Sequence, residues 1–327
     1  MLRSVEIELP VQFSPPFANT FSVTCNAAKN TSILMKYFLT FFFSLVFSFT
    51  FSQKFLIEEI PFELTSYNNI KVKSVLNKKN TVFLTFDTGS IDFYLTKEAI
   101  KKYLNPKGLK LTMKDISDNS FTIGNMEWHH QQIYPIETTG QGTDGMFGWN
   151  MFQNRILEID YEKKLLKVYS KLPRISRKYQ KFEMNIMKEH FSINLDIEEN
   201  GQKYISQFLF DSGFQKAMML DSDLLTKLRF PVNELEVFKT TILHNSNNDE
   251  IPLKTVKIKK LMLGKVSLEN VPAELNTYNK PAGYETNFLG SDVLKRFNII
   301  LDFQKNVVYL KPNKYFNEKY FDEKKKS

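Results

Sequence analysis

The stretch Val82-Phe83-Leu84-Thr85-Phe86-Asp87-Thr88-Gly89-Ser90 has the pattern of an apolar strand that ends at a carboxylate, a hydroxyl and a glycine. The same pattern returns in Ile205-Ser206-Gln207-Phe208-Leu209-Phe210-Asp211-Ser212-Gly213. In front of each stretch lie another strand-like run and a short polar turn, which predicts a hairpin leading into each Asp. The repetition predicts two copies of one β unit, fused head to tail.

The repeat continues downstream of both Asp residues. Gly145-Met146-Phe147-Gly148 corresponds to Asn287-Phe288-Leu289-Gly290. From there to Asp160 and Asp302 the two copies stay in register, since 160 − 148 and 302 − 290 are both 12 residues. These two later Asp residues open short motifs before a last strand in each copy, and we interpret them as turn carboxylates.

Composition and local pattern both predict a mainly β protein. The chain has 327 residues, of which 42% are hydrophobic and 14% aromatic, enough for one large or two modest cores. Short runs rich in Val, Ile, Phe and Thr alternate with polar turns, and helical patterns are brief. We therefore expect an all-β fold with a few short helices. The net charge of +8 comes mostly from scattered Lys residues, so no nucleic-acid partner is expected.

The N-terminal part of the sequence has the pattern of an export signal. Lys36 precedes an uncharged apolar run from Tyr37 to Phe51, which predicts a signal peptide over residues 35–52 and an exported protein, periplasmic or secreted. Residues 1–34 are then an upstream extension, untranslated or disordered. An internal signal anchor with a short cytoplasmic tail is the alternative, although the run is short for a membrane span. After cleavage we expect no stable membrane insertion.

The duplicated Asp turns point to acid–base chemistry. If a pseudo-twofold axis relates the copies, Asp87 and Asp211 face each other, and two adjacent carboxylates share one proton. One then acts as a base toward water while the other donates to a substrate carbonyl. Thr88 and Ser212 are expected to lock the two loops by hydrogen bonds, and Gly89 and Gly213 to permit the close approach.

Phe86-Asp87-Thr88-Gly89-Ser90 and Phe210-Asp211-Ser212-Gly213, with the matched downstream glycines, resemble the paired signature of aspartyl proteases. Asp144-Gly145-Met146-Phe147-Gly148 and Leu289-Gly290-Ser291-Asp292-Val293-Leu294 resemble especially the retropepsin-like members of bacteria. The resemblance covers roughly residues 66–311. It implies a bilobal acid-protease fold of two closed, pseudo-twofold-related β lobes. It also implies endopeptidase activity on a peptide or protein substrate, and a monomer that holds both Asp residues in one chain.

The expected lobes are residues 53–168 and 186–311, joined by a linker at 169–185 and followed by a charged C-terminal tail at 312–327. The sequence departs from the family pattern at Phe214, where two-lobed members usually have Ser or Thr. Ser90 supplies that hydroxyl in the first lobe only, so we expect Asp87 to be held ionised and Asp211 to carry the proton. Because the pair titrates as a unit, the assignment to single residues stays open.

The resemblance also implies a hairpin that closes over the substrate, a flap, and in the second lobe Val237 to Val256 fits this role. The residues predicted at its tip are His244, Asn245, Ser246, Asn247, Asn248 and Asp249. In the first lobe, Lys107–Ser120 makes a poor hairpin, so a single flap is expected.

Cofactor and metal binding are not expected. The only cysteine is Cys25, and His129 and His130 are adjacent on a predicted strand, which makes them a poor chelating pair. Two alternatives to a general endopeptidase remain open. One is a catalytically inactive peptide-binding or envelope interaction protein that keeps the fold. The other is a processing enzyme with a single substrate.

Overall fold

The computed structural model describes residues 55–105, 116–244, 250–276 and 280–324. The predicted upstream extension (1–34) and signal peptide (35–52) lie outside these residues. Within the described ranges, no helix is both long enough and apolar enough to span a membrane.

The chain is mainly β, as the sequence predicts. The first ten strands are β1 Leu56–Leu64, β2 Ile70–Leu76, β3 Asn80–Asp87, β4 Phe93–Thr96, β5 Asn119–Ile123, β6 Met126–Gln131, β7 Ile133–Ile136, β8 Gly145–Gly148, β9 Ile156–Asp160 and β10 Leu165–Tyr169. The others are β11 Gln180–Glu183, β12 Asn185–Met187, β13 His190–Glu199, β14 Gln202–Asp211, β15 Met218–Asp221, β16 Val237–His244, β17 Glu250–Leu263, β18 Val266–Asn276, β19 Asn287–Gly290, β20 Phe297–Asp302 and β21 Val307–Pro312.

The helices are short. They are α1 Lys97–Tyr103, α2 Ser222–Lys227, α3 Ser291–Leu294 and α4 Phe321–Lys324, with 3₁₀ turns at Trp149–Phe152 and Val232–Glu234. The side chain of Thr96 caps α1 by accepting a hydrogen bond from the N–H of Ala99, and Asp221 caps α2 in the same way with two N–H groups. Each of these helices directly follows a strand of the repeat, β4 or β15, so the caps occur at matching places in the two copies.

The described strands form two sheets. One has 13 strands, with the path β11-β21-β20-β9-β10-β1-β2-β3-β8-β4-β7 and with β5 and β6 to the side of it. The other has eight strands in the order β12-β13-β14-β19-β15-β18-β17-β16. Strand β20 pairs with β9, so the last hairpins of the two sequence copies lie side by side in one sheet.

The sequence repeat is a repeat of strand pairing. In the first half (β1–β10) the hairpin β2–β3 places β3 parallel to β8, and β4 then pairs antiparallel to β8 and parallel to β7. In the second half (β11–β21) the hairpin β13–β14 places β14 parallel to β19, and β15 pairs antiparallel to β19 and parallel to β18. The two hydrophobic-Gly segments thus each lie alongside the strand that ends in an Asp.

Apolar side chains of alternate strand residues point into the core. In β2 the burial alternates residue by residue, with Ile70, Val72 and Leu76 fully buried. In β3 the last apolar residues, Leu84 and Phe86, are also fully buried, and the ring of Phe86 packs against Phe147 of β8. The strands that end in the two Asp residues are therefore anchored by buried apolar side chains.

Part of the predicted linker and most of the predicted tail belong to the folded body. Within 169–185, β11 pairs with β21 and extends the larger sheet. The segment after β21 is held to the folded body, because the fully buried Arg296 donates hydrogen bonds to the carbonyl groups of Phe316 and Glu318. Charged residues of this segment pair with distant elements, as Asp322 does with Lys216. The sequence alone does not reveal such pairs.

The two later Asp residues of the repeat are turn carboxylates, as expected. Asp160 Oδ1 accepts the backbone N–H of Lys163 at 3.1 Å. Asp302 Oδ1 accepts those of Gln304 and Lys305, both at 3.0 Å. Each carboxylate holds the turn of a terminal hairpin.

Candidate active site

The structure brings Asp87 and Asp211 together. Each is the last residue of its strand, and the parallel pairing places Asp87 beside Gly148 and Asp211 beside Gly290. Asp87 Oδ1 accepts the N–H of Gly213 in the loop of Asp211, and each carboxyl group acts on the pKa of the other, so we refer to the pair as the dyad. Solvent reaches both residues partly, while protein atoms crowd their carboxyl groups.

The hydroxyl groups of Thr88 and Ser212 join the two Asp loops by a symmetric set of hydrogen bonds. Thr88 Oγ1 donates to the carbonyl of Phe210 at 3.1 Å and accepts the N–H of Ser212 at 3.0 Å. Ser212 Oγ donates to the carbonyl of Phe86 at 2.9 Å and accepts the N–H of Thr88 at 3.0 Å. Both residues are buried, so these four bonds satisfy groups that water cannot reach. This geometry matches the locking role that the sequence predicts.

Gly89 and Gly213 are required by space rather than by backbone dihedral. Neither has a positive φ. A Cβ on Gly89 would lie 2.6 Å from Asp211 Cγ, and one on Gly213 would overlap the carboxylate of Asp87. Each glycine therefore lets the opposite carboxyl group approach the backbone of its loop. Any side chain here would push the dyad apart.

Backbone N–H groups make the two carboxyl groups unequal. Asp87 Oδ1 accepts the N–H of Gly89 at 2.9 Å and, across the dyad, that of Gly213 at 3.1 Å. Asp211 Oδ1 accepts the N–H of Phe214 at 2.8 Å. Hydrogen bonds to a carboxylate favour its ionised form, so Asp87 is the better-stabilised anion.

The pKa values of both dyad residues are raised. Burial raises the pKa of Asp87, and the N–H groups of its two glycine partners oppose that rise. The pKa of Asp211 lies well above its usual range, first because of burial and second because of the nearby charge of Asp87. These directions favour a shared proton on the pair, with Asp211 as its main carrier.

Ser90 does not have the role that the sequence assigns to it. Its hydroxyl is 3.4 Å from the carbonyl oxygen of Ile91, and no hydrogen bond joins it to Asp87 in the described part of the chain. The ionised form of Asp87 is favoured instead by the N–H of Gly213, a contact between the loops that no single-copy pattern reveals. Phe214, the departure noted in the second copy, points its ring toward Phe288 in a small apolar cluster.

The predicted flap is a hairpin of the second half. Strand β16 pairs antiparallel with β17 up to His244 opposite Glu250. The other predicted tip residues, Asn245, Ser246, Asn247, Asn248 and Asp249, lie outside the described residues. Most of Lys107–Ser120, the weaker first-half candidate, also lies outside them. A single flap stays a prediction.

Two further residues that sequence patterns did not single out border the dyad. Asn69 is buried and directly precedes β2; its Nδ2 donates to the carbonyl groups of Ser212 at 2.9 Å and Gly213 at 3.0 Å. Its Oδ1 accepts a hydrogen bond from Gln215 at 2.9 Å. The signal that could have found Asn69 is its place in the repeat, because it stands opposite the end of the strand that carries Asp87.

His190 holds the same place in the second half. The β13–β14 register sets it opposite Asp211, as the β2–β3 register sets Asn69 opposite Asp87. Its Nδ1 is buried and has no hydrogen-bond partner among the described residues, and its ring lies 5.9 Å from that of Tyr284. Burial lowers the pKa of His190, which keeps the imidazole neutral at neutral pH.

Comparison with protein-family models and with curated proteins finds no match to this chain.

Proposed function

We propose that this protein is an aspartic endopeptidase that hydrolyses peptide bonds with a water molecule activated between Asp87 and Asp211. The observation that carries the proposal is the dyad itself: two carboxyl groups on duplicated strand ends, each packed against the glycine of the opposite loop, with raised pKa values. A pair of carboxyl groups that shares one proton supplies both a base and an acid near neutral pH. The duplicated strand pairing supports a bilobal acid-protease fold of the retropepsin-like or pepsin-like kind.

The residues divide the chemistry as follows. Asp87, ionised, takes a proton from water as the water oxygen attacks the substrate carbonyl carbon, while Asp211 gives its proton to the carbonyl oxygen. When the tetrahedral intermediate collapses, the C–N bond breaks and the leaving nitrogen receives the proton held by Asp87. The intermediate returns a hydroxyl proton to Asp211, so the dyad ends with one proton, as it began.

The surrounding elements support this arrangement. The hydrogen bonds of Thr88 and Ser212 hold the loops so that the carboxyl groups meet without a side-chain movement. Because both Asp residues come from one chain, a monomer suffices for the proposed reaction. The β16–β17 hairpin is the element that we propose closes over a bound peptide. Export, to the periplasm or the medium, remains the proposed location.

A peptide-library digest tests the proposal at mildly acidic and at neutral pH, with and without pepstatin, a peptide inhibitor of aspartic proteases. Asp87→Asn and Asp211→Asn are each expected to lower cleavage by about 10²- to 10⁴-fold, the usual contribution of an acid or base. Thermal unfolding should be unchanged or slightly improved. Asp118→Asn is the matched control, because this carboxylate is exposed and pairs with His130. Full activity in either dyad variant contradicts the proposal.

One observation favours a second candidate, a peptide-binding protein without turnover. No side-chain hydroxyl of the described residues next to the dyad loops bonds either carboxylate, since Ser90 bonds elsewhere and Phe214 has none. This candidate predicts saturable pepstatin binding in a calorimeter and no product from any library peptide. Cleavage that pepstatin blocks excludes it.

A further inference from the structure

A cavity lies beside the loop that follows Asp87. Its volume is about 340 Å³, and its lining includes Ile91, Trp149, Ile186 and Phe303. The cavity is tied to the dyad loop, because the N–H of Trp149 donates to the carbonyl of Ser90 at 3.2 Å. The rings of Trp149 and Phe303 are stacked, with centroids 5.1 Å apart. The cavity has apolar walls only a few residues along the chain from the dyad.

The rim of the cavity is polar. Gln153, Asn154, Lys188 and Glu189 also line it, and all four are exposed. The carbonyl of Glu189 accepts the indole N–H of Trp149 at 2.9 Å, which fixes the aromatic wall. Apolar walls with a few polar groups at the edge are typical of a ligand pocket, and the volume lies within the usual range of such pockets, which begins at about 300 Å³.

The repeat identifies the equivalent surface in the other half of the molecule. Trp149 follows Gly148 as Ser291 follows Gly290, and the N–H of Ser291 donates to Phe214 at 2.8 Å as that of Trp149 donates to Ser90. Each side chain at this position donates to a main-chain carbonyl in the segment before the hairpin: Trp149 to Glu189, and Ser291 Oγ to Tyr67 at 3.1 Å. Counted from Gly148 and Gly290, Asp292 corresponds to Asn150 and Arg296 to Asn154. The hairpin pairings make Tyr67 the counterpart of Lys188.

That equivalent surface is covered by the chain's own C-terminal segment. The ring of Phe321 packs against Tyr67, with centroids 5.2 Å apart, and its N–H donates to Asp292 Oδ2 at 2.7 Å. The guanidinium of Arg296 lies 4.0 Å from the centroid of the Tyr320 ring. The surface equivalent to the cavity therefore binds a peptide segment rich in aromatic residues.

We propose that the cavity beside Ile91 binds an aromatic side chain of a peptide that passes the dyad. The cavity and its equivalent surface come from one repeated unit. The equivalent surface, which the C-terminal segment covers, binds both main-chain groups and aromatic rings of that segment. In the cavity, the partly exposed Ile91 and Ile186 offer apolar contact to such a ring, beside the buried, mutually stacked rings of Trp149 and Phe303. The assignment of that peptide as substrate rests on the proposed endopeptidase function, whereas the binding itself requires no cleavage.

The test uses the chain's own C-terminal sequence as a probe. The probe is the synthetic peptide Asn-Lys-Tyr-Phe-Asn-Glu-Lys-Tyr-Phe, which is residues 313–321, and its control has Ala at the four aromatic positions. The protein carries Asp211→Asn to prevent turnover and Trp128→Phe, which leaves Trp149 as its only tryptophan. Trp149 emission is excited where tyrosine does not absorb. A saturable change with the probe and none with the Ala peptide is the expected result.

A pair of surface variants locates the binding. Ile186 lines the cavity and is 44% exposed, so Ile186→Asp should weaken probe binding about tenfold, the effect of losing one apolar contact area. Ile205→Asp, at an apolar position that is 65% exposed and does not line the cavity, should leave the affinity within about twofold. Equal weakening by both variants, equal binding of the Ala peptide, or no saturable change overturns the proposal.

The same experiment separates the two proposals. Probe binding that depends on Ile186, combined with no library cleavage by the unmodified protein, rejects the endopeptidase and keeps the pocket. Library cleavage with no preference for aromatic residues, and with no effect of Ile186→Asp on kcat/KM, keeps the endopeptidase and rejects the pocket.

Discussion

The two sides of the dyad are built from the same repeated unit and differ in how completely they are filled. On the first-half side, Asn69 makes hydrogen bonds to the loop of Asp211 and to Gln215. On the second-half side, His190 leaves Nδ1 without a partner among the described residues, and Ile91 stands where Gln215 stands on the other. One flank is closed by hydrogen bonds, and the other contains a cavity.

This difference distinguishes two kinds of residue. Some are present in both copies and serve the dyad, and others occur on one side of it only. The hydroxyl residue and the glycine that follow each Asp are equivalent in both copies and make equivalent contacts. The flanking positions have diverged into a polar network on one side and an apolar wall on the other. Such a combination fits the proposed reaction, in which two paired carboxyl groups act on an asymmetric peptide.

The largest expected effect is on the stability of the flank that the C-terminal segment covers, which we call the filled flank. Arg296 is fully buried and donates to the carbonyl groups of Phe316 and Glu318, next to the buried Asp292. Arg296→Ala should lower the free energy of unfolding by about 3–5 kcal/mol, because it leaves those two carbonyl groups without their donor and empties the space of a fully buried side chain. Urea denaturation measures this loss.

The matched change on the open flank is Asn154→Gly, since Asn154 is the exposed counterpart of Arg296 and has a positive φ of 59°. Gly tolerates that backbone conformation, so the free energy of unfolding should change by no more than about 0.5 kcal/mol. Similar losses for the two variants would mean that both flanks are equally filled, contrary to the structure.

The next effect tests what the two copies share. Ser212→Ala removes the partner of the Thr88 N–H and of the Phe86 carbonyl, both buried, and should cost about 1–3 kcal/mol. Thr88→Ala should cost about the same, because its two bonds are equivalent. Ser212→Thr restores the hydroxyl that the first copy already uses and should recover most of the loss. If the two Ala variants lost very different amounts of unfolding free energy, the hydrogen bonds of Thr88 and Ser212 would not be equivalent.

The parts of this fold that the sequence predicts are those whose residue pattern occurs in both copies of the repeat. Asp87 and Asp211, with their hydroxyl and glycine neighbours, were predicted together, because burial of the preceding strand and the need for close approach both leave a mark in local sequence. The β16–β17 hairpin is predicted from the family resemblance and from its polar tip. Each of these signals is local, so a single pass along the chain detects it.

The parts that sequence did not predict depend on contacts between distant residues. Ser90 looked like the support of Asp87, yet the N–H of Gly213 takes that role, and a backbone group has no sequence signature. The sequence predicts the C-terminal segment only as a charged tail, because the ion-pair partners of Asp322, Lys216 and Lys239, are far away in the chain. Asn69 was missed for the same reason.

A smaller effect compares the two residues that flank the dyad. Asn69→Leu should cost about 1–2 kcal/mol, because it leaves the carbonyl groups of Ser212 and Gly213 without their donor. His190→Phe should be neutral or slightly stabilising, since it removes a buried nitrogen that has no partner among the described residues and keeps a ring against Tyr284. Denaturant midpoints of the two variants measure the difference. A larger loss for His190→Phe would show that its Nδ1 is bonded after all.

The smallest effect is a pH dependence of stability that distinguishes the dyad from the ion pairs of the C-terminal segment. The folded-state pKa of Asp211 is raised, so its contribution to stability is complete below the unfolded pKa of about 3.9 and is lost as pH rises through the folded value. Asp211→Asn has no such loss. Its free energy of unfolding should match that of the unmodified protein at low pH and exceed it increasingly as pH rises to neutral.

Asp322 gives the opposite sign and serves as the control. Burial alone would raise its pKa, but hydrogen bonds from Lys216 and Lys239 outweigh burial and lower it. Its contribution is therefore present above the unfolded pKa of about 3.9 and is lost as pH falls through the folded value, so Asp322→Asn should be less stable at neutral pH and equal at low pH. Urea denaturation across this pH range compares both variants. If Asp211→Asn follows the slope of Asp322→Asn, Asp211 is ionised at neutral pH like an ordinary ion-pair carboxylate, and the dyad does not hold a shared proton.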